Sequence, residues 1–252
     1  MIRVILILLV LIVFLLVSAL PLLIGEKCVW KNDENRQKEY ALQVVKRVLR
    51  MVFRLTGSTL TVKGLENIPD MPVLYVGNHR SYFDIVTGYI VVPGQTGFIA
   101  KKEMKKIPLL REWMRNVNCL FLDRKDIKAG LKTILEGIEK VKGGSSVWIF
   151  PEGTRCKAKD PAELLSFKEG SLKIAEKSGC PVVPVAITGT AEILEKHFPF
   201  IRPSHVTIEF GEPFYIKELP AEDRKRAGAY SEARIREMLV KEQEERRGLR
   251  RA

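Results

Sequence analysis

A histidine and an aspartate stand five positions apart in the stretch Asn78-His79-Arg80-Ser81-Tyr82-Phe83-Asp84. The chain holds only three histidines in 252 residues. This one follows Val73-Leu74-Tyr75-Val76, a short apolar run that ends at Gly77 and reads as a strand. An imidazole at a strand's carboxyl end with an acid close behind suits an oriented general base. The same letters also fit a structural role, because Ser81 with Asp84 three residues later matches a helix capping box. Residues five apart on a regular helix point roughly 140° apart at about 3.6 residues per turn. His79 and Asp84 therefore meet only if His79 lies in the loop before the helix, which is where a Ser81 cap puts it.

Two further apolar runs end in charged residues. Cys119–Leu122 leads into Asp123-Arg124, and Val147–Phe150 leads into Pro151-Glu152-Gly153-Thr154-Arg155. Arginine presents a planar fork of donors to phosphate, and glycine permits close backbone approach. Either arginine alone is accounted for by a surface ion pair. Beside a histidine–acid pair, the two together are harder to dismiss as surface ion pairs.

These residues need a scaffold, and the pattern supplies one. Strands are expected at Thr59–Val62, Val73–Val76, Gly97–Ala100, Cys119–Leu122, Ser146–Phe150, Val182–Ile187 and Val206–Phe210. Helices are expected at Phe83–Val91, Leu109–Asn116, Ile127–Val141, Lys168–Lys177 and Ser231–Glu245. Strands alternating with helices predict an α/β fold, a mostly parallel central sheet flanked by helices, with ligands outside the strands' carboxyl ends. The segment from Glu222 onward, rich in both charge signs, reads as a solvated helix.

The N-terminus is different in kind. No charged residue occurs from Val4 to Gly25. At about 1.5 Å per residue that run is long enough to cross a hydrocarbon core of roughly 30 Å. A signal peptide cleaved near Val17-Ser18-Ala19 is the competing reading, but apolar residues continue through Ile24, which favours a retained anchor. Lys27, Lys31, Arg36 and Lys38 follow it, so the positive-inside bias places the bulk of the protein on the cytoplasmic side. A monotopic insertion into one leaflet fits the same letters. From Lys38 to Leu55, apolar residues at helical spacing alternate with Lys46, Arg47, Arg50 and Arg54. This is a basic amphipathic helix suited either to an anionic lipid surface or to an ordinary core. The expected division is a membrane anchor with this helix over 1–57 and an α/β catalytic domain over 58–252. Net charge of +12 calls for acidic partners. The four cysteines, Cys28, Cys119, Cys156 and Cys180, show no metal spacing and fit a reducing compartment.

The ordered motifs resemble the HxxxxD glycerolipid acyltransferase family, in particular the bacterial type that acylates 1-acyl-sn-glycerol 3-phosphate. His79 to Asp84 matches the first block, Cys119–Arg124 the second, Phe150–Arg155 the FPEGTR block, and Val182–Ile187 the apolar block around Pro184. The resemblance covers roughly Leu60 to Phe214. It implies acyl transfer from acyl-CoA or acyl carrier protein to the sn-2 hydroxyl of lysophosphatidic acid, or alternatively to glycerol 3-phosphate or another lysolipid, at a bacterial inner membrane, with no cofactor or metal. His79 is then the base and Asp84 its orienting carboxylate. Arg124 and Arg155 are expected on the headgroup phosphate, with Lys105 as a third cation and Gly153 and Thr154 at the turn. Glu152, ill suited to a phosphate site, is expected to orient Arg155 or accept a glycerol hydroxyl. Cys156 replaces the family's usual serine.

Three other functions compete. A nucleophile-elbow hydrolase requires G-x-S-x-G, which the sequence lacks. A nucleic-acid binder would suit the charge, but the basic residues are spread along the chain rather than grouped in one module. A catalytically silent lipid-binding protein would not need the histidine–acid pair.

Overall fold

The computed structural model describes residues 1–24 and 33–249, the side chains of 19–24 and 249 excepted. Two long helices, α1 (Ile2–Ile24) and α2 (Glu34–Thr56), precede the α/β domain. There follow β1 (Thr59–Lys63), β2 (Leu74–Gly77), α3 (Phe83–Val91), β3 (Thr96–Lys101), α4 (Pro108–Asn116), β4 (Leu120–Leu122), α5 (Ile127–Lys142) and β5 (Ser146–Ile149). The chain continues through α6 (Lys173–Ser178), β6 (Val182–Thr188), β7 (His205–Phe210), α7 (Ala221–Lys225) and α8 (Ala227–Leu249). Among the described residues, all seven expected strands form.

They make one sheet in the order β1-β7-β6-β2-β5-β3-β4. Every neighbouring pair is parallel except β6 and β7, which register antiparallel through Val185–Thr188 and Thr207–Phe210. β2 lies between β6 and β5, with Leu74 opposite both Val182 and Val147. Successive side chains of a strand leave opposite faces. Leu74 and Val76 join one core with Ile174 of α6 and Ile235 and Leu239 of α8. Val73 and Tyr75 join the other with Leu42 of α2 and Trp113 of α4. Burial on both faces is why β2 and β6 read as unbroken apolar runs.

Two expectations change. Lys168–Lys177 is not one helix: a 3-10 turn spans Glu169–Leu172, and α6 then runs to a left-handed Gly179. Gly170 and Ser171 weaken the first turn, and Gly179 provides the usual C-terminal stop. Nor is the C-terminal helix merely solvated, since Ile235 and Leu239 are fully buried. Glu242 accepts from Lys63, Thr207 and Arg246, which ties α8 to β1 and β7.

The apolar N-terminal run forms α1, with Gly25, Lys27, Cys28 and Lys31 outside the described residues. Among the described residues, no helix is long and apolar enough to cross a membrane. α1 instead lies against the domain. Ile7, Val10 and Leu11 pack with Val52, Phe53 and Phe83, while Phe14 and Leu15 pack into the Trp113 cluster. Trp113 Nε1 donates to Ser18 Oγ at 2.9 Å, and Arg3 donates to the Thr56 carbonyl at 3.1 Å. The opposite side of α1 exposes Ile2, Ile5, Leu9, Ile12, Leu16 and Val17. In α2 the apolar stripe faces the core through Leu42, Val45, Val48 and Val52, leaving Arg47, Arg50 and Arg54 exposed.

Candidate active site

α3 begins at Phe83, so His79 lies in the loop before it and the geometric condition for meeting Asp84 is satisfied. His79 Nδ1 and Asp84 Oδ2 are 2.8 Å apart. The same carboxylate oxygen accepts the backbone N–H groups of Arg80 and Ser81, each at 2.7 Å, and Oδ1 accepts from Thr190 Oγ1 at 2.6 Å. Ser81 Oγ accepts the N–H of Phe83 at 3.0 Å. The capping and orienting readings are therefore both true of one carboxylate. Asp84 is 1% exposed and fully satisfied, so it is held as a fixed acceptor. His79 Nε2 has no protein partner among the described residues, and the imidazole stacks on Phe150 at 4.2 Å between ring centroids. The free nitrogen is the one available to a substrate.

β2 and β5 are neighbours, so the loops after them meet. Glu152 Oε1 accepts the His79 N–H at 2.6 Å and Oε2 accepts the Leu165 N–H at 2.9 Å. Glu152 thus takes up neither expected role, neither orienting Arg155 nor standing open to a hydroxyl. Burial raises its carboxyl above the usual carboxylate value, against the pull of the two N–H donors and the nearby cationic groups. Gly153 turns the chain at φ 73°, a left-handed value, and its N–H returns to the Phe150 carbonyl at 3.0 Å. Thr154 is exposed in the same turn.

Arg155 pairs with Glu195 at 2.9 Å and lies over the Tyr82 ring at 4.0 Å. Glu195 also accepts from Ser81 Oγ at 2.6 Å and from the Tyr82 N–H at 2.9 Å, so it joins Arg155 to the start of α3. Arg155, Arg80, Lys157, Lys196 and Phe198 line a cavity of about 510 Å³. Lys105 and Arg124 lie elsewhere. Arg124 follows β4, three strand positions from β2 and so roughly 14 Å away at about 4.8 Å per strand. Lys105 sits 5.3 Å from the Phe121 ring in a separate cavity of about 470 Å³ of mixed charge, shared with Lys102, Lys106 and Lys132 and with Glu103, Asp123 and Glu136. The expected cations thus divide into two groups on either side of the histidine.

A third cavity, about 330 Å³ and almost wholly apolar, opens between the sheet and helices α1, α2 and α4. Phe150, Phe98, Tyr89, Met104, Val117 and Cys119 are among its walls. Phe150 both lines it and stacks on His79, so the imidazole lies against one of its walls.

Several positioning residues carry no recognisable sequence signal. Asn78 pairs in both directions with the backbone of Ile187 on β6, at 3.0 and 2.8 Å. Arg80, although a cation beside the histidine, is 7% exposed and spends its guanidinium on the carbonyls of Ala158, Asp160, Pro161 and Glu163. Its place inside the His79–Asp84 interval was the one available hint. Thr190 and Glu195 reach the site from beyond β6. Cys156 is buried, with its Sγ at 3.4 Å from the Glu163 carbonyl, so its thiol faces the loop and not the imidazole.

The fold and this pair define an α/β domain with a carboxylate-oriented imidazole at the carboxyl edge of its sheet. Residues 59–188 match the family model described as Acyltransferase, just over half of the chain, and the protein belongs to that family. It is 30% identical over 189 residues to a probable 1-acyl-sn-glycerol-3-phosphate acyltransferase of Mycoplasma pneumoniae, covering 73% of this chain and 68% of that protein. It is 29% identical over 188 residues to the 1-acyl-sn-glycerol-3-phosphate acyltransferase of Saccharomyces cerevisiae, covering 74% and 60%. The chain spans 60% or less of the length of several curated relatives that it matches. The crystal structure of the 1-acyl-sn-glycerophosphate (LPA) acyltransferase PlsC from Thermotoga maritima superimposes with a TM-score of 0.80 at 29% identity, covering 96% of this chain and 95% of that one.

Proposed function

We propose that this protein transfers an acyl group from an acyl thioester to the sn-2 hydroxyl of 1-acyl-sn-glycerol 3-phosphate, forming phosphatidic acid. The observation that carries the reading is a free His79 Nε2 on an Asp84-held ring, between an apolar cavity and a basic one. Nε2 takes the hydroxyl proton as the oxygen attacks the thioester carbonyl. Asp84 fixes the tautomer and stabilises the imidazolium. The carbon–sulfur bond then breaks, and the proton passes to the departing thiolate. The acyl chain of the donor occupies the apolar cavity, whose size is at the low end for ligand pockets. Arg155 and Lys157 receive the acceptor phosphate, with Glu195 yielding its hold on Arg155. Lys105 and Arg124, on the other side, face the phosphates of a phosphopantetheine donor, whether acyl-CoA or acyl carrier protein.

Residues 1–57 serve as the membrane-facing module of the catalytic domain at 58–252. The exposed aliphatic face of α1 is far larger than scattered surface apolar residues produce, and it suits burial in one leaflet of an anionic membrane, with the domain on the cytoplasmic side. The acceptor and product are both lipids of that membrane.

The test is an assay of the purified full chain with lysophosphatidic acid and either donor. His79→Ala is expected to lose at least about 10³-fold in turnover while its circular dichroism spectrum stays that of the wild type. Asp84→Asn should lose a comparable factor. Near-normal turnover by the His79→Ala protein would remove the base assignment.

A further inference from the structure

We infer that the segment His197-Phe198-Pro199-Phe200-Ile201-Arg202 is a second membrane contact, separate from α1, and forms the lip over which the lipid acceptor enters from the leaflet. The inference rests on the reading of α1 and the lipid substrate given above. Phe198 is 75% exposed and Phe200 48%, two phenyl rings offered to solvent on one short loop. Interfaces between water and lipid favour aromatic rings at the headgroup level, flanked by cations.

Three observations make this loop more than a pair of stray apolar residues. First, its backbone is fixed. Lys196 N–H donates to the Ala191 carbonyl at 3.0 Å, Phe200 N–H to the His197 carbonyl at 2.7 Å, and Arg202 N–H to the Ile193 carbonyl at 3.0 Å. The rings are held outward by a built loop. Second, the loop is joined to α1. Ile201 and Ile193 pack in the same cluster as Ile7, Val10 and Leu11, and a side chain at Gly57 would meet Arg3 and Pro203 at 3.4 Å each. α1 and the loop that carries the two rings therefore share one packed cluster. Third, Phe198 and Lys196 line the cavity that holds Arg155 and Lys157. An amphiphile approaching those cations with its phosphate passes an exposed phenyl ring with its chain. Exposed Lys196, Lys157 and Arg202 give the rim a net cationic character suited to acidic headgroups, with Glu192 and Glu195 as the opposing charges.

The full chain is tested on phosphatidylcholine–phosphatidylglycerol vesicles carrying brominated acyl chains, which quench tryptophan at short range. Tryptophan is introduced singly as Phe198→Trp, Phe200→Trp, Leu9→Trp on α1 and Ile127→Trp, a 91% exposed position at the start of α5. Quenching above the parent protein is expected at 198, 200 and 9, and none at 127. Phe200→Ala, outside the lining of the Arg155 cavity, should raise the apparent KM for vesicle-borne acceptor about tenfold while leaving kcat on a water-soluble short-chain acceptor unchanged. Quenching at position 9 without quenching at 198 and 200 would overturn the loop contact and leave the α1 anchor standing. No quenching at any position would overturn both, and failure on the short-chain acceptor by the wild type would instead refute the acyltransfer reading.

Discussion

Glu152 holds His79 by its backbone: the carboxylate oxygen Oε1 accepts the His79 N–H at 2.6 Å, while Oε2 holds Leu165. A residue that looked like part of a substrate site is a clamp between the loops after β2 and β5. The imidazole is thus fixed from two directions, through its ring by Asp84 and through its main chain by Glu152. Glu152→Ala leaves two N–H groups without their acceptor and is expected to cost about 2–4 kcal/mol of stability. Glu152→Gln keeps one acceptor and should cost less. Urea unfolding of the two variants distinguishes a clamp from a substrate contact, because a substrate contact would alter KM with no shift in the unfolding midpoint.

Arg155 pairs with Glu195, so in the proposed role an acceptor phosphate competes with that carboxylate for the guanidinium. Arg155→Ala should raise KM for a phosphorylated acceptor by about 10- to 100-fold, the range set by losing one charge-assisted contact of ~1.5–3 kcal/mol. Its effect on an acceptor lacking phosphate should be small. Steady-state kinetics on the two acceptors decide the matter, and equal losses on both would contradict a phosphate role.

The apolar cavity has Cys119 and Val117 in its wall together with Phe150, the ring that stacks on His79. Replacing Val117 by Phe fills space that a long chain needs and should shift preference toward shorter acyl donors, with a discrimination of roughly 10-fold or more per excluded pair of methylenes. Competition between donors of different length reads this out directly. An unchanged preference would place the acyl chain elsewhere.

Glu242 anchors α8. Burial opposes its ionisation, but hydrogen bonds from Lys63, Arg246 and Thr207 outweigh that and hold its carboxyl at about 2, below the usual 4.5. A carboxyl depressed in the folded state contributes stability above its unfolded value and loses it as pH falls through the folded one. Glu242→Gln should therefore be about 2 kcal/mol less stable than the wild type at neutral pH. The gap should close as pH drops from 4.5 toward 2. Denaturant midpoints of both proteins across that window check the sign, and a gap that widens on acidification would refute it.

The seven strands, the order of the motifs and the His79–Asp84 pair were legible in the letters, because strand burial and helix capping are local and periodic. Apolar runs reported sheet burial, and a Ser81 cap reported the loop that lets His79 face Asp84. Charge type at a strand end was also legible, but its destination was not. Arg124 and Arg155 look alike in sequence, yet one follows an outer strand and the other bends over Tyr82 toward Glu195. Strand order depends on long-range pairing, and no short spacing encodes it. The same limit hid Thr190, Glu195 and the Asn78–Ile187 pairing, which join positions more than 100 residues apart. Glu152 is expected from the letters to orient Arg155 or accept a glycerol hydroxyl because sequence reports ionisable type, whereas only packing decides whether a charge meets substrate or buried backbone. For α1 the letters established an apolar helix, and its contacts with α2 and α4 decided which side is left exposed.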